Sequence, residues 1–482
     1  MKPFTDKQLR LIGAAYVLER LAPLTPYGKE AARAIRPFTR ATKAELESEL
    51  DNVALGAAYK NEPGGPLAKL CGILTRFRDI RGSLKKLGEE KWRILSDVEL
   101  FEIKSFLLNL GDLKEAYERF SKEVELKGIL ITPMDAVLGI LDPEGTRLRS
   151  FYVSEKFKPN YGLDKIRDEK RRLDFELSKA EGAEEYKEIE NQRRQMALLE
   201  EDAEFNVRVN LTNLLSYYHN DFSSNIEAIT RLDLILAKAD LARKYGCVRP
   251  IITENSLILD HVYSPEVDAV LRGRGGGVTP ISLELSPGTA VLTGANMGGK
   301  SVALKTLVLN SYLFQCGFLI FAKAAELPVF DNIDFVLEDE SSVHSGLSSF
   351  GAEMVHINSL MDHAARGFSL IVLDEPARGT NPREGRAIAA GLAACLNALP
   401  SISILSTHYD NVAKSEYNCY MAAGLRKDML DKSQISPDTI ATLMDYRLVK
   451  VSPFDPVPND ALAICRLLNV NRGLLDVIEE MI

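Results

Sequence analysis

The stretch VLTGANMGGKS, from Val291 to Ser301, constrains the fold of this 482-residue chain more than any other feature. Its apolar start leads into Gly294-x-x-x-x-Gly299-Lys300-Ser301, a spacing at which glycines let successive backbone N–H groups converge on one anion. A helix that begins near Gly299 would add its positive N-terminal end at the same place. The pattern therefore predicts a strand, a phosphate-binding loop and a helix. Lys300 would reach the β- and γ-phosphates of a nucleotide, and the Ser301 hydroxyl would bind Mg²⁺.

Two further apolar runs end in side chains that suit phosphate chemistry. The run Ser369–Leu373 precedes Asp374 and Glu375, and the run Ile402–Thr407 precedes His408. Because the carboxyl ends of parallel strands meet at one edge of a sheet, we expect these side chains beside the phosphate loop. Asp374 is predicted to hold Mg²⁺ through water, Glu375 to orient and polarise the attacking water, and His408 to contact the γ-phosphate. Taken singly, each run also fits an ordinary buried strand with a polar end.

These motifs together resemble the ATPase core of the MutS family, which is similar in mechanism to the ABC-type ATPases. The resemblance is carried by TGANMGGKS at the phosphate loop, SSFGAEM from Ser348 to Met354, LDEPARGTNPREG from Leu373 to Gly385 and STHYDN from Ser406 to Asn411. The segment ELPVFDNI, from Glu326 to Ile333, and the ending GTNPREG resemble the recombination-suppressing branch more than the mismatch-reading branch.

The resemblance implies ATP and Mg²⁺ as cofactors and a dimer with shared nucleotide sites. Asn296 would position the γ-phosphate, and Ser348 matches the family's signature serine, which reaches the γ-phosphate bound by the other protomer from a helix N-terminus. Spacing alone predicts only that Ser348 caps a helix. Val278 stands where the mismatch-reading branch carries an aromatic residue that stacks on adenine, so the adenine contacts are not identified. The predicted cofactor-binding residues are Gly294, Asn296, Gly298, Gly299, Lys300, Ser301 and Ser348.

The chain is predicted to be a multi-domain α and α/β protein, with a helical core and lever region followed by an ABC-like P-loop ATPase domain. Helical periodicity dominates the first half, and the alternation of strands and helices begins after it. We predict an N-terminal helical segment at 1–62, a helical core and lever domain at 63–246 with a shortened clamp hairpin at about 164–206, a MutS-type ATPase domain at 247–458 and a C-terminal helical dimerisation extension at 459–482.

The predicted hairpin lies where the family carries a DNA-gripping clamp. Ile166, Leu173 and Leu177 are spaced for one stripe of a first helix, and Glu181-Gly182 could turn the chain into a second, antiparallel helix. Residues 164–206 hold 14 acidic and 9 basic side chains, a net charge of −5. A clamp that grips phosphates needs basic side chains, so this charge argues against the family's usual clamp. The same net charge is equally typical of an ordinary solvated helical face.

Two classes of client therefore stay open. The family implies mismatched or branched DNA, and a net charge of −9 lowers this expectation without removing it, because basic residues can line a channel of an acidic protein. Some MutS-like proteins without mismatch domains also resemble this chain, and they act on a protein client as reactivases of cobalamin-dependent aminomutases. The acidic hairpin favours that class. The dimer partner is either a second copy of the chain or a sister MutS-like chain.

Several absences complete the expectations. We find no G-x-F-Y-E-like segment near the N-terminus, and the chain ends soon after His408, so we expect neither a mismatch-recognition domain nor an Smr nuclease domain. The six cysteines form no CxxC pair, which favours reduced thiols. Charged residues interrupt the N-terminal helix, and no apolar run is long enough to span a bilayer. We expect a cytoplasmic protein without membrane contact.

Overall fold

The computed structural model describes most of the chain. The described residues are 3–60, 62–88, 94–294, 298–337, 349–425, 444–453, 455, 465–466 and 470–481. Every helix within these ranges is either too short or too polar to span a lipid bilayer.

The described helices are α1 (Asp6–Leu11), α2 (Ala14–Leu18), α3 (Pro26–Arg33), α4 (Lys43–Ala58), α5 (Pro66–Leu74), α6 (Arg81–Gly88), α7 (Asp97–Ser121), α8 (Asp135–Leu141), α9 (Leu163–Leu177), α10 (Ala183–Ser216), α11 (His219–Tyr245), α12 (Pro265–Arg272), α13 (Lys300–Gln315), α14 (Ser349–Arg366), α15 (Pro382–Asn397) and α16 (Arg472–Glu480). The strands are β1 (Ile251–Thr253), β2 (Leu257–Val262), β3 (Ile281–Leu285), β4 (Gly288–Thr293), β5 (Ala324–Pro328), β6 (Asn332–Val336), β7 (Ser369–Leu373), β8 (Ile402–Ser406), β9 (Asn418–Leu425) and β10 (Met444–Lys450). The predicted order, a helical region followed by an α/β region, is confirmed.

The chain forms two compact units, each assembled from separated segments. The α/β unit comprises Met1–Leu21, Ile35–Ala58 and Lys238–Ile482, and the helical unit comprises Ala22–Ala34 and Tyr59–Ala237. The predicted N-terminal segment thus contributes residues to both units. The domain boundaries at 62, 246 and 458 stay predictions.

Within the helical unit, α7 is a long helix with a well-defined start and a buried face. The Ser96 side chain accepts from the Glu99 N–H while the Glu99 side chain accepts from Ser96, a reciprocal capping box. Apolar residues at helical spacing, including Leu100, Ile103 and Phe106, are buried. Capping and burial together explain why this segment is helical along its whole length.

The hairpin predicted for residues 164–206 is present as α9 and α10. Arg167 donates to Glu200 at 2.8 Å and to Glu204 at 2.7 Å, and near the tip Arg193 contacts Asp174. Later residues of α9 contact earlier residues of α10, so the two helices are antiparallel. Helix α10 continues to Ser216, beyond the predicted end of the hairpin.

The α/β unit contains a six-stranded sheet in the order β10-β9-β4-β8-β7-β6. Five strands are parallel to one another, in the order β9, β4, β8, β7 and β6. Strand β10 pairs antiparallel with β9 at the edge of the sheet. Both β7 and β8 are buried at every position, as their continuous apolar sequences predict. Leu360 of α14 and Ala389 of α15 pack with Val291 and Ile371 in the core of this sheet. A four-stranded sheet, β1-β5-β2-β3, completes the unit.

Phe4 shows how the first residues belong to the α/β unit. Its ring stacks on Tyr312 with centroids 4.4 Å apart and meets Phe335 edge to face at 5.1 Å. The side-chain amide of Gln315 donates to the carbonyl oxygens of Phe38 and Phe330, both at 3.0 Å. These contacts attach two N-terminal segments to α13 and β6, and they give Phe4 a packing role.

Candidate functional site

The ends of three neighbouring strands bring the predicted site residues together. Strand β4 leads into the phosphate loop, β7 into the acidic pair and β8 into His408. Strand β8 pairs in parallel with β4 on one side and with β7 on the other. The three motifs therefore lie at one edge of the sheet, as the rule for parallel strands predicts.

Two glycines of the phosphate loop are required by their surroundings. Gly294 has φ 129°, and a Cβ there would lie 3.0 Å from the Cβ of Ala422 on β9. Gly299 has φ 85°, and a Cβ there would lie 2.8 Å from the ring of Tyr446 on β10. Residues with a side chain rarely adopt either φ value, and neighbouring atoms leave no room for a Cβ at either position. Gly298, between them in sequence, is buried. Asn296 lies outside the described residues.

Lys300, the first residue of α13, lies at the centre of the site. Its side chain is 5% exposed. The ammonium donates to the carbonyl oxygen of Gly294 at 2.8 Å and lies 3.5 Å from Oε1 of Glu375. Ser301 follows on the same turn and is exposed. The predicted phosphate-binding cation and the predicted catalytic carboxylate are therefore neighbours.

The acidic pair is held by Ser406, the last residue of β8. The Ser406 hydroxyl donates to Oδ1 of Asp374 and accepts from the backbone N–H of Glu375 at 2.9 Å. Glu375 has φ 47°, in the left-handed region that non-glycine residues seldom adopt. Backbone strain of this kind persists where surrounding bonds over-determine the conformation. One hydroxyl thus holds the Asp374 carboxylate and the backbone of Glu375.

His408 and Arg378 approach the same oxygen of Glu375. Nδ1 of His408 and Nη1 of Arg378 each lie 3.7 Å from Oε2 of Glu375. The His408 side chain is 42% exposed, and its ring lies 4.3 Å from the ring of Tyr409. The arrangement places exposed cationic or neutral donors around the carboxylate that is predicted to polarise water.

Sequence reasoning assigned no role to Ser406 or to Glu353, although both lie within the quoted motifs. Oε1 of Glu353, on α14, accepts from the backbone N–H of Ala377 at 3.0 Å. Ala377 has φ 63°, so a second left-handed residue follows Glu375 in the same loop. Glu353 therefore ties α14 to the loop that carries the acidic pair. Ser348, which precedes α14, lies outside the described residues.

The comparisons with known proteins agree with this geometry. The family model MutS domain V matches residues 290–437, which include the phosphate loop, the acidic pair and His408. This chain therefore contains a segment that matches MutS domain V. MutS domain V is an ABC-type ATPase, so the matched part of this chain is an ATPase domain.

Curated relatives extend the similarity beyond that domain. "Endonuclease MutS2" of Lactobacillus gasseri is 29% identical over 297 residues, 59% of this chain and 34% of the relative. The protein of the same name from Lactobacillus johnsonii is 28% identical over 291 residues, 59% of this chain and 35% of the relative. That from Ruminiclostridium cellulolyticum is 31% identical over 229 residues, 47% of this chain and 28% of the relative. The chain spans about a third of the length of these relatives.

An apolar cavity of about 170 Å³ lies beside the phosphate loop. Its lining includes Val278, Val302, Thr306 and Tyr446, together with Gly299 of the loop itself. Tyr446 comes from the antiparallel strand β10, far along the chain from the phosphate loop. A flat aromatic ring and aliphatic side chains suit the stacking of a purine base. The sequence pointed to Val278 and gave no signal for Tyr446.

The donor set at the strand ends fits Mg²⁺. The Ser301 hydroxyl and the Asp374 carboxylate are hard oxygen ligands, which Mg²⁺ prefers. Mg²⁺ normally keeps several waters and is bound by one or two carboxylates plus substrate phosphates. Within the described ranges, no three His, Cys, Asp or Glu side chains cluster as an all-protein metal cage. A Mg²⁺ ion held by Ser301 and Asp374 would take its remaining ligands from water and from substrate phosphates.

Proposed function

We propose that this chain is a dimeric, Mg²⁺-dependent ATPase whose nucleotide cycle drives movement of the helical unit, and that it acts on nucleic acid. The observation that carries the nucleotide chemistry is the position of Lys300, between the Gly294 carbonyl at 2.8 Å and Glu375 at 3.5 Å. A buried cation, glycines with positive φ in the phosphate loop and an acidic pair at adjacent strand ends are the parts that phosphoryl transfer to water requires.

Each side chain has a distinct part in hydrolysis. Lys300 stabilises negative charge on the β- and γ-phosphates, and the loop N–H groups orient them. Glu375 accepts a hydrogen bond from the attacking water and holds it in line with the γ-phosphate. His408, beside Glu375, contacts the γ-phosphate. Ser301 and Asp374 would hold Mg²⁺, which would further neutralise phosphate charge.

The dimer completes each site. Following the family resemblance, Asn296 contacts the γ-phosphate bound in its own protomer and Ser348 reaches the one bound in the other protomer. Glu353 supports this arrangement, because its bond to the Ala377 N–H links the helix after Ser348 to the loop after Glu375. The C-terminal extension, 459–482, would add to the dimer interface.

Helix α13 provides a route from the nucleotide to α11. It begins at the phosphate loop, and the carbonyl of Cys316, directly after its end, accepts from Nζ of Lys238 at 3.0 Å. Lys238 also donates to Glu49 at 2.7 Å, and the two side chains are 4% and 11% exposed. Lys238 lies on α11, whose earlier residues belong to the helical unit. Breaking this ion pair would leave an unpaired charge in the protein interior, which favours the arrangement in which the pair is intact.

Nucleic acid is the client that the relatives support, since those matched over about half of this chain are named endonucleases. A protein client, such as a cobalamin-dependent aminomutase served by a reactivase, is the second candidate. The exposed hairpin favours it. Phe175, Leu198 and Phe205 are 60%, 60% and 47% exposed on a segment of net charge −5, a surface that suits a polypeptide better than a phosphate backbone.

The test of the catalytic proposal is Glu375→Gln, with Glu384→Gln on the exposed start of α15 as the matched control. We expect Glu375→Gln to lose ATP hydrolysis while it still binds ATP, and the control to keep the wild-type rate. Light scattering should show a dimer whose stability increases with ATP. A Glu375→Gln protein that hydrolyses ATP normally contradicts the catalytic role, and a chain that is monomeric with and without ATP contradicts the shared site.

The client is tested by the same ATPase assay. Duplex, mismatched and four-way-junction DNA are added at low and moderate salt, and purified aminomutase holding inactivated cobalamin is added separately. Stimulation by DNA supports the first candidate, and stimulation by the aminomutase alone supports the second.

A further inference from the structure

Three arginines converge on one carboxylate in the helical unit. Nη1 of Arg76 lies 3.6 Å from Asp112, Nη2 of Arg147 lies 3.8 Å from it and Nη2 of Arg149 lies 3.4 Å from it. The three side chains are 51%, 53% and 48% exposed. One carboxylate neutralises one guanidinium, so an excess of positive charge faces solvent at this point.

The positive charge continues along a groove of about 320 Å³ between α5 and α7. Lys69 and Arg119 line it together with Arg76, Asp112 and Glu115. With Arg147 and Arg149, which contact Asp112, these seven side chains form what we call the arginine groove. Five of them are basic and two are acidic, a net charge of +3 in a chain of net charge −9.

The loop that presents two of these arginines is held by a buried carboxylate. Asp142, 6% exposed, accepts from the backbone N–H of Arg147 at 2.7 Å, from Oγ1 of Thr146 at 3.0 Å and from Nζ of Lys104 at 3.2 Å. Arg147 has φ 53°, a conformation that needs such support. The position of Arg147 is therefore built into the fold, unlike that of an ordinary surface arginine.

Apolar side chains are exposed on the same loop. Leu148 is 61% exposed and Tyr152 is 65% exposed, on either side of Arg149. Aromatic rings beside cationic side chains offer a surface on which unpaired bases stack. Guanidinium groups alone suit carboxylates and phosphates equally. The exposed aromatic residue distinguishes a nucleic acid from an acidic polypeptide as the better fit.

We propose that the arginine groove binds the phosphodiester backbone of nucleic acid, with Tyr152 stacking on an unpaired base. This inference rests on the proposed nucleic-acid function and assigns it a surface. The acidic hairpin then need not grip phosphates, because positive charge is supplied elsewhere in the helical unit.

The experiment compares the full-length protein with its R147E/R149E variant. The probes are a fluorescent single-stranded DNA, the same strand in a duplex and its RNA copy, and anisotropy is measured over a salt series. We expect R147E/R149E to bind each probe at least about tenfold more weakly, with the salt slope reduced by about two. Tyr152→Ala should weaken the single strands more than the duplex.

R171E/R172E, on the exposed face of α9, is the matched control with the same change of charge. It should keep the wild-type affinity within about twofold, since Arg171 and Arg172 lie on the acidic hairpin. R147Q/R149Q, which adds no negative charge beside Asp112, should weaken binding in the same direction. Unchanged basal ATPase activity and circular dichroism show that each variant is folded.

The outcomes distinguish a failure of the arginine groove from a failure of the proposed nucleic-acid function. Wild-type binding that R147E/R149E retains overturns the groove and leaves the nucleic-acid function standing. An equal loss in R171E/R172E overturns it too, because binding then follows net charge alone. Polyglutamate that binds in place of the oligonucleotides identifies an acidic polypeptide and overturns the proposal. No binding of any probe at low salt overturns both the groove and the nucleic-acid function.

Discussion

The phosphate loop and the arginine groove both concentrate positive charge, but they do so by different means. In the phosphate loop the positive groups are backbone N–H groups and one lysine within eight consecutive residues, Gly294 to Ser301. In the groove they are side chains from separate segments, Arg76 after α5, Arg119 on α7 and Arg147 in the loop after α8.

The net charge of a sequence is an incomplete guide to whether the folded protein can contact phosphates. The whole chain and its hairpin are acidic, and both facts argued against phosphate contacts in the helical region. Electrostatic attraction depends on charges within about a Debye length of the ligand, so a local cluster of arginines can attract phosphates even in a chain whose net charge is negative. A sum over sequence cannot show such a cluster.

The largest effect is expected for Lys300→Ala. Loss of the buried ammonium should lower kcat for ATP hydrolysis about 100-fold or more, because a buried positive charge beside the phosphates stabilises the transition state strongly. The same variant should bind oligonucleotides, in the absence of nucleotide, as the wild type does, since the groove belongs to the other unit. Parallel ATPase and anisotropy measurements check both statements, and a variant that loses both activities would show that the two regions are not separable.

A smaller effect is expected for Asp142→Ala. The change leaves the buried ammonium of Lys104 without its carboxylate and should lower the free energy of unfolding of the helical unit by about 3 kcal/mol. Freed from Asp142, Arg147 should lose its fixed position, so oligonucleotide binding should weaken while basal ATPase activity stays. Hydrogen exchange of residues 142–149 measures the loosening, and unchanged exchange would contradict the anchoring role.

The same carboxylate gives a dependence on pH. Burial raises the pKa of Asp142, but the bonds from the Arg147 N–H, Lys104 and Thr146 outweigh burial and hold the pKa below its ordinary value. A carboxylate with a lowered folded-state pKa stabilises the fold above its unfolded pKa of about 4, and that contribution is lost as the pH falls through the folded value. Exchange of the loop, corrected for intrinsic rates, should therefore accelerate at acidic pH in the wild type and change less in Asp142→Asn.

The smallest effect is expected for Tyr446→Ala. Loss of one stacking surface should raise the KM for ATP about five- to tenfold and leave kcat nearly unchanged, because the base is remote from the reacting phosphate. Tyr446→Phe keeps the ring and should behave as the wild type. Steady-state kinetics with ATP check this, and a fall in kcat without a change in KM would remove Tyr446 from the base site.

The sequence predicted the chemistry of the ATPase site because that chemistry is local. Glycine spacing, a lysine at a helix start and polar residues after apolar strands are each legible in a few consecutive residues. One rule for parallel sheets then places Glu375 and His408 beside Lys300, which the structure bears out at 3.5 Å for Glu375 and Lys300. The roles carried from the family to Asn296 and Ser348 stay predictions.

The tertiary structure decided what depends on contacts between distant segments. Ser406 holds the acidic pair, Tyr446 lines the cavity beside Gly299, and Phe4 packs on Tyr312, although periodicity gave no sign of these contacts. The arginine groove has the same origin, because packing of α5, α7 and a loop held by Asp142 collects charges that are scattered along the chain. By itself the sequence determined the presence of an ATPase domain and predicted its nucleotide chemistry, since both rest on short-range patterns. Which side chains surround that chemistry, and where positive charge accumulates in the helical unit, were fixed only when long-range packing brought separate segments together.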